Sequence, residues 1–330
     1  MKQETPHPGE DAGSPPPDGE FDELREALDS LRDEIRSRFP APRGGAPAHD
    51  VDWNVVLRDV GRRLSTLGMS ERSGEVDEFG MDDVVLRSTR RLFDLLADRY
   101  WRLEVHGLEA LPEKGPCLLV ANRSGLLPYD GLMLAHAIER SHPSRERPRF
   151  LVADWLITLP FVQPYLAQLG GVRACRENAE RLLAARRFVI TFPEGVKGAA
   201  KVFRERYRIQ RFGRGGVLRL ALEGRIPLLP VGIVGAEEAH PVLFKWGAPA
   251  RALGLPFVPV TPTFPLLGPL GLLPLPTKWV IRIGEAIPLD HLEPDAAGDE
   301  LLVSRLTADL RERIQALVDA GLADRESVWG

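Results

Sequence analysis

Two acidic residues of this 330-residue sequence, Glu194 and Asp130, are candidates for binding or catalysis because each lies in a polar turn after a predicted strand. Glu194 follows the apolar run 188–192 and precedes Gly195, so a carboxylate and a flexible turn come directly after a predicted strand. In open α/β sheets, ligands bind at the carboxyl ends of the strands. The segment therefore predicts a ligand-binding carboxylate at Glu194. The alternative is that Glu194 forms a salt bridge to nearby basic residues and Gly195 only makes a turn.

A strongly basic segment follows Glu194. Between positions 197 and 225 there are nine basic and two acidic residues, a local charge of +7 in a chain whose formal net charge is −4. The basic residues are Lys197, Lys201, Arg204, Arg206, Arg208, Arg211, Arg214, Arg219 and Arg225. Because aromatic residues are interleaved with them, we favour a site for phosphate-bearing ligands or anionic lipid headgroups over a solvated face. No recognised nucleic-acid module accompanies the segment, so we expect no nucleic-acid partner.

A second polar turn, 122–131, follows the apolar run 117–121. Asp130 lies near its end and opens a predicted helix, where a carboxylate can orient a partner side chain or simply cap the helix. Arg123 lies at the start of the turn. An arginine stays protonated in proteins, so Arg123 cannot accept a proton as a general base.

Short apolar runs alternate with helical patterns over most of the chain. The predicted strands cover 103–106, 117–121, 150–153, 188–192, 226–234 and 279–283. The predicted helices cover 131–140, 179–187, 215–223 and 299–320, the last with Leu302, Leu306, Leu310, Ile314 and Leu317 on one face. This alternation predicts an α/β fold with a mixed, largely parallel sheet flanked by helices, preceded by a helical N-terminal arm.

The part of the chain before the first predicted strand is made of regions that differ in composition. Residues 1–19 are rich in Pro, Gly and acidic residues and predict a disordered tail with no signal-peptide core. Apolar residues recur every three or four positions over 20–39, which predicts an amphipathic helix that docks on the domain; a short coiled coil or a membrane-surface helix is the alternative. We expect a linker over 40–50, a helical N-terminal region over 51–102, the main domain over 103–322 and a tail over 323–330.

The overall composition excludes several classes of protein. Hydrophobic residues make up 44% and charged residues 27% of the sequence, as in a soluble protein with a core. The small net charge excludes a globally basic nucleic-acid binder. Cys117 and Cys175 form no C-x-x-C pair, so we expect no disulfide framework and no metal site. We expect a cytoplasmic protein.

One apolar stretch, 253–276, has no charged side chain over 24 positions and contains seven prolines. Proline removes backbone donors and breaks helices, so a continuous membrane-spanning helix is not expected. The stretch predicts an apolar lip that dips into a bilayer or lines an acyl-chain groove. The alternative is a buried loop stiffened by proline that covers the sheet.

Several motifs, taken in order, resemble the PlsC-type glycerolipid acyltransferases. They are the strand–Asn–turn–Asp element that ends at Asp130, Phe192-Pro193-Glu194-Gly195, and Ile226-Pro227-Leu228-Leu229-Pro230-Val231. A bacterial branch with a longer first motif is most similar, on Gly125-x-x-Pro128-x-Asp130, Lys197-Gly198, Arg206-Tyr207, Arg211-Phe212-Gly213-Arg214-Gly215-Gly216 and Gly235-Ala236-Glu237-Glu238. The resemblance covers roughly residues 75–292.

The resemblance implies the family's α/β architecture over 103–322 and an acyl transfer reaction. The donor is acyl-CoA or acyl-carrier protein, and the acceptor is a hydroxyl of a lysophospholipid, a glycerol phosphate or a glycerolipid. No cofactor is expected beyond this co-substrate. The expected location is peripheral, on the inner face of the cell membrane.

The resemblance also assigns roles to individual residues. Glu194 and Gly195 match the motif that binds the glycerol-phosphate part of the acceptor, Arg173 and Arg176 lie where the family places a phosphate contact, and Pro227 and Pro230 match the motif that shapes the acyl groove. From the basic segment we add Lys197, Arg204 and Arg206 as candidate substrate-binding residues. The structural alternative for the two prolines is that they edge a strand.

The first motif departs from the family pattern. The family has a His as general base and an Asp that orients it; here Arg123 occupies the His position and Asp130 keeps the Asp position. General-base catalysis contributes about 10²–10⁴-fold, so we expect a slow enzyme, an enzyme with a substitute base, or a catalytically inactive member. The inactive member would bind lipid or acyl donor as a carrier, regulator or scaffold, with Arg123 paired to Asp130 or bound to phosphate. A G-x-S-x-G elbow and a P-loop are both missing from the sequence, which excludes those two enzyme classes.

Overall fold

The computed structural model describes residues 76–124, 127–157, 162–252, 254–289 and 291–329. The predicted tail 1–19, the amphipathic helix 20–39, the linker 40–50 and residues 51–75 of the helical region 51–102 lie outside these residues.

A seven-stranded mixed sheet forms the centre of the described part of the chain, in the order β1-β9-β6-β2-β5-β3-β4. Its strands are β1 Glu104–His106, β2 Cys117–Ala121, β3 Arg149–Val152, β4 Gly171–Arg173, β5 Phe188–Thr191, β6 Leu228–Val234 and β9 Val280–Ile283. All neighbours pair in parallel except β6 and β9, which are antiparallel. A separate antiparallel pair is formed by β7 Phe244–Trp246 and β8 Val258–Val260.

Helices flank the sheet, which confirms the predicted α/β fold. They are α1 Asp83–Leu95, α2 Tyr129–Ser141, α3 Asp154–Ile157, α4 Gln163–Gln168, α5 Arg176–Ala184, α6 Gly195–Ala199, α7 Gly216–Gly224, α8 Ala236–Ala239, α9 Gly247–Ala252 and α10 Glu300–Asp324. Asp82 caps α1 and Asp299 caps α10, each accepting backbone N–H groups of the first turn. Among the described helices, none combines the length and the apolar character that crossing a bilayer requires.

Both faces of the central sheet are buried. Leu119 and Ile190 point into one apolar cluster, with Met133 of α2, whereas their neighbours Leu118 and Val189 point into the cluster on the opposite face. Successive side chains of a strand point to opposite faces, so a strand covered on both sides is continuously apolar. This is why the strands are visible in the sequence as uninterrupted apolar runs.

Helix α10 packs on one face of the sheet, and the residues that it buries differ in part from the predicted apolar face. The buried residues of α10 are Val303, Leu310, Ile314, Val318 and Gly321. Leu310 and Ile314 agree with the predicted face, but Leu302, Leu306 and Leu317 are only partly buried. The buried face of the helix is therefore rotated from the predicted leucine row, although the two share Leu310 and Ile314.

The uncharged stretch 253–276 divides into a buried and an exposed part. β8 is buried, as the covering-loop alternative predicted. The 3₁₀ turn Gly268–Leu272 and its flanks instead expose Leu266, Leu267, Leu270 and Leu273, and Leu266 is 84% exposed. An exposed leucine row of this kind agrees with the apolar lip.

Candidate active site

The register of β2 and β5 brings Arg123 and Glu194 side by side. Val120 lies opposite Thr191 in the parallel pair, and Arg123 and Glu194 each follow three positions later. The backbone N–H of Arg123 donates to Oε1 of Glu194 at 2.8 Å. The exposed fractions are only 8% for Arg123 and 3% for Glu194. The two predicted strand-end turns therefore form one buried site at the carboxyl edge of the sheet.

Arg123 and Asp130 form a buried ion pair, with Nη1 of Arg123 2.7 Å from Oδ1 of Asp130. The backbone N–H groups of Ser124 and Gly131 also donate to the Asp130 carboxylate, at 3.0 and 2.8 Å. Complete burial raises the pKa of Asp130, and the Arg123 guanidinium and these N–H groups oppose that rise. Asp130 lies in the first turn of α2 and is not its cap, because the N-cap position is Pro128.

The Glu194 carboxylate is held by a network of buried groups. Its Oε2 accepts the backbone N–H of Gln210 at 2.7 Å and lies 3.3 Å from Nζ of Lys201. Lys201 also bonds Oε1 of Glu237 at 2.6 Å, and the other oxygen of Glu237 accepts the backbone N–H of Tyr207 at 2.8 Å. Burial raises the pKa of Glu237, and Lys201 opposes that rise. Glu194 is thus paired with the basic segment, as the salt-bridge alternative predicted.

Gly198 lets the turn after Glu194 approach the site. A Cβ atom at this position would come within 2.6 Å of the Glu194 Cβ and 2.7 Å of the Arg123 Cβ. The short helix α6 can therefore pack against the two site residues only because position 198 has no side chain.

The remaining predicted site residues lie further out. Arg173 pairs with Asp154 at 2.9 Å, and Arg176 pairs with Glu180 and Glu223; all these side chains are well exposed. Lys197 and Arg204 are exposed, and Arg206 lies over the Phe203 ring with Cζ 4.3 Å from its centroid. Gly195, at φ +56°, starts α6 beside Glu194. The structure brings Arg123, Asp130, Glu194 and Gly195 together and leaves Arg173, Arg176, Lys197, Arg204 and Arg206 at the surface.

Pro227 and Pro230 belong to the central strand region. The carbonyl of Pro227 accepts the N–H of Leu118 at 2.9 Å, and that of Pro230 accepts the N–H of Gly284 at 2.9 Å. Two cavities, of about 370 and 70 Å³, lie at this edge of the sheet, and neither proline lines them. Their position in the structure agrees with the strand-edge alternative.

Two adjacent cavities lie at this edge of the sheet, and the smaller one is lined by Arg123. A cavity of about 370 Å³ is lined mainly by apolar atoms, among them those of Leu118, Ala179 and Leu220. A smaller cavity of about 70 Å³ is lined by Arg123, Phe192 and Trp155. The two share Leu151, Ala174 and Thr191 in their walls. We call these two cavities together the apolar groove.

The polar partners of His136 and His240 are residues other than Arg123, Asp130 and Glu194. His136 contacts Asp94 at 3.0 Å, and Nε2 of His240 contacts the carbonyl of Leu272 at 2.7 Å. None of the histidines in the described ranges hydrogen-bonds to Arg123, Asp130 or Glu194. The same ranges hold no cluster of His, Cys, Asp and Glu suited to a metal ion.

Comparison with known proteins gives the family. An uncharacterized protein of Mycobacterium leprae is 43% identical over 324 residues, which cover 91% of this chain and 88% of that protein. The acyltransferase family model matches residues 102–234, which include Arg123, Asp130 and Glu194. The chain belongs to the acyltransferase family. The family prediction from the motifs is thereby confirmed.

Other similar proteins are more distant. A bovine protein described as a DGAT1/2-independent enzyme synthesizing storage lipids is 24% identical over 243 residues, covering 72% of this chain and 65% of that protein. The crystal structure of the 1-acyl-sn-glycerophosphate acyltransferase PlsC from Thermotoga maritima is 18% identical, covers 92% of this chain and 99% of that chain, and has a TM-score of 0.47.

Sequence reasoning missed part of this acyltransferase-family site. Lys201 was counted in the basic segment but not proposed as a site residue, and Glu237 was noted only as part of a motif. Both are buried and join Glu194 to the residues after β6. The available signal was the glutamate pair at 237 and 238 directly after an apolar strand, because carboxylates in such a place need a buried cation.

Proposed function

We propose that this chain binds an acyl thioester, as acyl-CoA or acyl-carrier protein, and transfers the acyl group to a glycerolipid hydroxyl. The observation that carries the proposal is a pair of adjacent cavities, one mainly apolar and the other lined by Arg123, in a member of the acyltransferase family. Groove walls of this composition suit an alkyl chain, since burying each methylene group contributes about 0.8 kcal/mol. The thioester carbonyl would then lie beside Arg123.

The reaction balances without an external proton acceptor. The acceptor hydroxyl attacks the thioester carbonyl, the C–S bond breaks, and the hydroxyl proton ends on the departing thiol. A general base accelerates the step but is not consumed by it. Arg123 lines the groove as a cation, so it can stabilise the oxyanion that develops on the carbonyl oxygen. We therefore expect turnover that is slower than with a histidine base.

A second candidate function is supported by the ion pair between Arg123 and Asp130. The pair occupies the positions of the family's base and its orienting carboxylate, and both partners are buried. With Asp130 bonded to Arg123, Ser124 and Gly131, the site can hold an acyl lipid without performing chemistry on it. In this case the chain is a carrier or regulator.

Acyl transfer from radiolabelled oleoyl-CoA to a panel of glycerolipid acceptors tests the two candidates. Turnover by the wild type that falls at least tenfold in Ala174→Phe supports the enzyme, because Ala174 lies in the wall shared by the two cavities. Ala184→Phe, an exposed position of α5, is the matched control and should not change the rate. A silent wild type that gains activity with Arg123→His supports the non-catalytic candidate. Equal rates in wild type and Ala174→Phe contradict the proposed use of the groove.

We also propose that the chain binds peripherally to the inner face of the cell membrane through an apolar tip, made of Phe244, Trp246, Leu266, Leu267, Leu270 and Leu273. All six side chains are exposed. Lys245 lies between the two aromatic residues in the sequence of β7, and Arg251 lies in α9, so two basic residues are close to the tip along the chain. Exposed leucines and a tryptophan beside basic residues suit an anionic bilayer surface.

Flotation with vesicles of phosphatidylcholine and phosphatidylserine tests this surface. We expect the wild type to float with the vesicles and the double variant Leu266→Ser/Leu267→Ser to stay at the bottom of the gradient. Leu301→Ser removes an equally exposed leucine on α10 and should float as the wild type does. A wild type that does not float counts against the membrane proposal and leaves the acyl transfer proposal untouched.

A further inference from the structure

A second cavity, of about 450 Å³, adjoins the apolar groove. The segment 212–215 and Thr307 of α10 line both spaces, so the two spaces are adjacent. The two cavities differ in chemistry, since the groove is mainly apolar and the second cavity is lined mainly by charged and hydroxyl-bearing side chains. A ligand with one polar end and one apolar part could occupy both.

Arginine dominates the lining of the second cavity. Arg211, Arg214, Arg219 and Arg311 all line it, and Glu300 is the one carboxylate among its described lining residues. Glu300 is paired with Arg219 at 3.0 Å. In the described part of the chain, no acidic group pairs with Arg211, Arg214 or Arg311. The cavity thus keeps three cations whose charge the described residues do not compensate.

The backbone holds the arginines at this place. Gly215 has φ +73°, and a Cβ atom there would come within 2.3 Å of Cγ1 of Val303. The loop can therefore pack directly onto α10, the helix that carries Arg311. Helix α7 begins at Gly216, and no side chain caps it. The positive end of its dipole adds to the potential of the arginines.

We propose that this cavity binds the phosphate monoester of an amphiphile whose apolar part lies in the adjoining groove. A phosphate monoester carries a charge of about −1.5 to −2 at neutral pH and three acceptor oxygens. Guanidinium groups are suited to such an anion because they donate two parallel hydrogen bonds to it. The assignment rests on the proposed function only for the apolar part of the ligand, since phosphate binding is measured without turnover.

Two sources share this chemistry. A lysophosphatidate acceptor carries a phosphate monoester on its glycerol, and a CoA donor carries one on its ribose. Each has a matched compound without that phosphate, namely monoacylglycerol and dephospho-CoA. The comparison within each pair measures the phosphate contribution separately from the apolar contribution.

The experiment is calorimetric titration of the full chain with short-chain lysophosphatidate against the matching monoacylglycerol, and with CoA against dephospho-CoA. In at least one pair the phosphate-bearing member should bind about tenfold or more tightly, as expected for hydrogen bonds to charged groups. The double variant Arg211→Gln/Arg214→Gln should lose this preference. Arg225→Gln is the control, because Arg225 is exposed, follows the other end of α7 and pairs with Glu293.

Each outcome decides the assignment. A preference in the lysophosphatidate pair alone assigns the cavity to the acceptor headgroup, a preference in the CoA pair alone assigns it to the donor, and a preference in both makes it a shared phosphate site. No preference in either pair, or a preference that survives in the double variant, overturns the proposal. Because no turnover is measured, a chain without acyltransferase activity can still give the expected result.

Discussion

The backbone N–H of Arg123 donates to Oε1 of Glu194 at 2.8 Å, so the two turns at the carboxyl edge of the sheet hold each other. This link uses the main chain of residue 123 and leaves its side chain free to pair with Asp130. A different residue type at position 123 would keep this main-chain contact to Glu194 but lose the pairing with Asp130 and the contact with the Phe192 ring. The contact that joins the two turns therefore does not depend on the side chain at position 123.

Replacing Arg123 by methionine should destabilise the protein by about 3–5 kcal/mol, the cost of leaving a buried charge without its partner. Asp130 is fully buried and would keep only the N–H groups of Ser124 and Gly131 and the Ser124 hydroxyl. Urea denaturation of the wild type and Arg123→Met measures the difference in unfolding free energy.

Arg173→Met is the matched control for this prediction. Arg173 and Asp154 form a bidentate pair at 2.9 and 3.0 Å, but both side chains are about 60% exposed. An exposed pair contributes about 0–1 kcal/mol. Similar losses in Arg123→Met and Arg173→Met would contradict the structural importance of the buried pair.

The central strands β2, β5 and β6 could be predicted from the sequence because they are covered on both faces. The predicted run 117–121 coincides with β2, whereas the three-residue strands β4, β7 and β8 were not predicted. β7 contains Phe244-Lys245-Trp246, which shows no buried pattern because all three residues are exposed. A strand that is stabilised by backbone pairing and not by burial cannot be recognised from the pattern of hydrophobic residues.

The positions of individual site residues could be predicted from the sequence, but the buried network that connects Glu194 to Lys201 could not. The strand-end positions of Arg123 and Glu194 follow from two apolar runs, and pairing between Arg123 and Asp130 was one of the alternatives. The choice of Lys201 among nine basic residues depends on how α6 turns back over Glu194, which is a property of the tertiary structure. The rotation of α10 has the same origin, because the helix carries two apolar rows and only packing decides between them.

Gly198→Ala should destabilise the protein by about 1–3 kcal/mol, the usual cost of overpacking. The new Cβ would lie 2.6 Å from the Glu194 Cβ and 2.7 Å from the Arg123 Cβ, so α6 would have to move away from the site. Thermal unfolding followed by circular dichroism measures the loss. Gly247→Ala is the control, since its Cβ would meet no atom within 4 Å. An equal destabilisation in Gly247→Ala would contradict close packing as the cause of the loss in Gly198→Ala.

Lys201→Met should destabilise the protein by about 3–5 kcal/mol at neutral pH, because it leaves Glu194 and Glu237 buried without their shared cation. The pKa of Glu237 is already raised by burial, and losing Lys201 removes a group that lowers it. The folded variant then holds a proton more tightly than the unfolded chain, so its deficit should shrink as the pH is lowered from 8 towards about 4.3, the ordinary pKa of glutamate.

The double variant Lys201→Met/Glu237→Gln separates charge from packing. Glutamine keeps the shape of Glu237 and removes its charge, so the double variant should recover part of the lost stability and show a weaker dependence on pH. Urea denaturation at several pH values gives both quantities. A deficit in Lys201→Met that is constant with pH would indicate lost packing in place of unpaired carboxylates.

His240→Gln should flatten the acid side of the stability profile. Burial lowers the pKa of His240, and its Nε2–H donates to the carbonyl of Leu272 at 2.7 Å, a contact that ties the exposed leucine turn to the core. The unfolded chain binds the proton more readily than the folded chain, so the contribution of His240 is complete above about pH 6.5 and decreases as the pH falls below it. Glutamine can donate the same hydrogen bond but does not titrate.

The unfolding free energy, measured from pH 7.5 to 5, should therefore fall less steeply in His240→Gln than in the wild type. His106→Gln, which removes an exposed imidazole, should follow the wild-type curve. His136, whose pKa burial also lowers, is present in all three proteins, so the difference between the curves isolates His240.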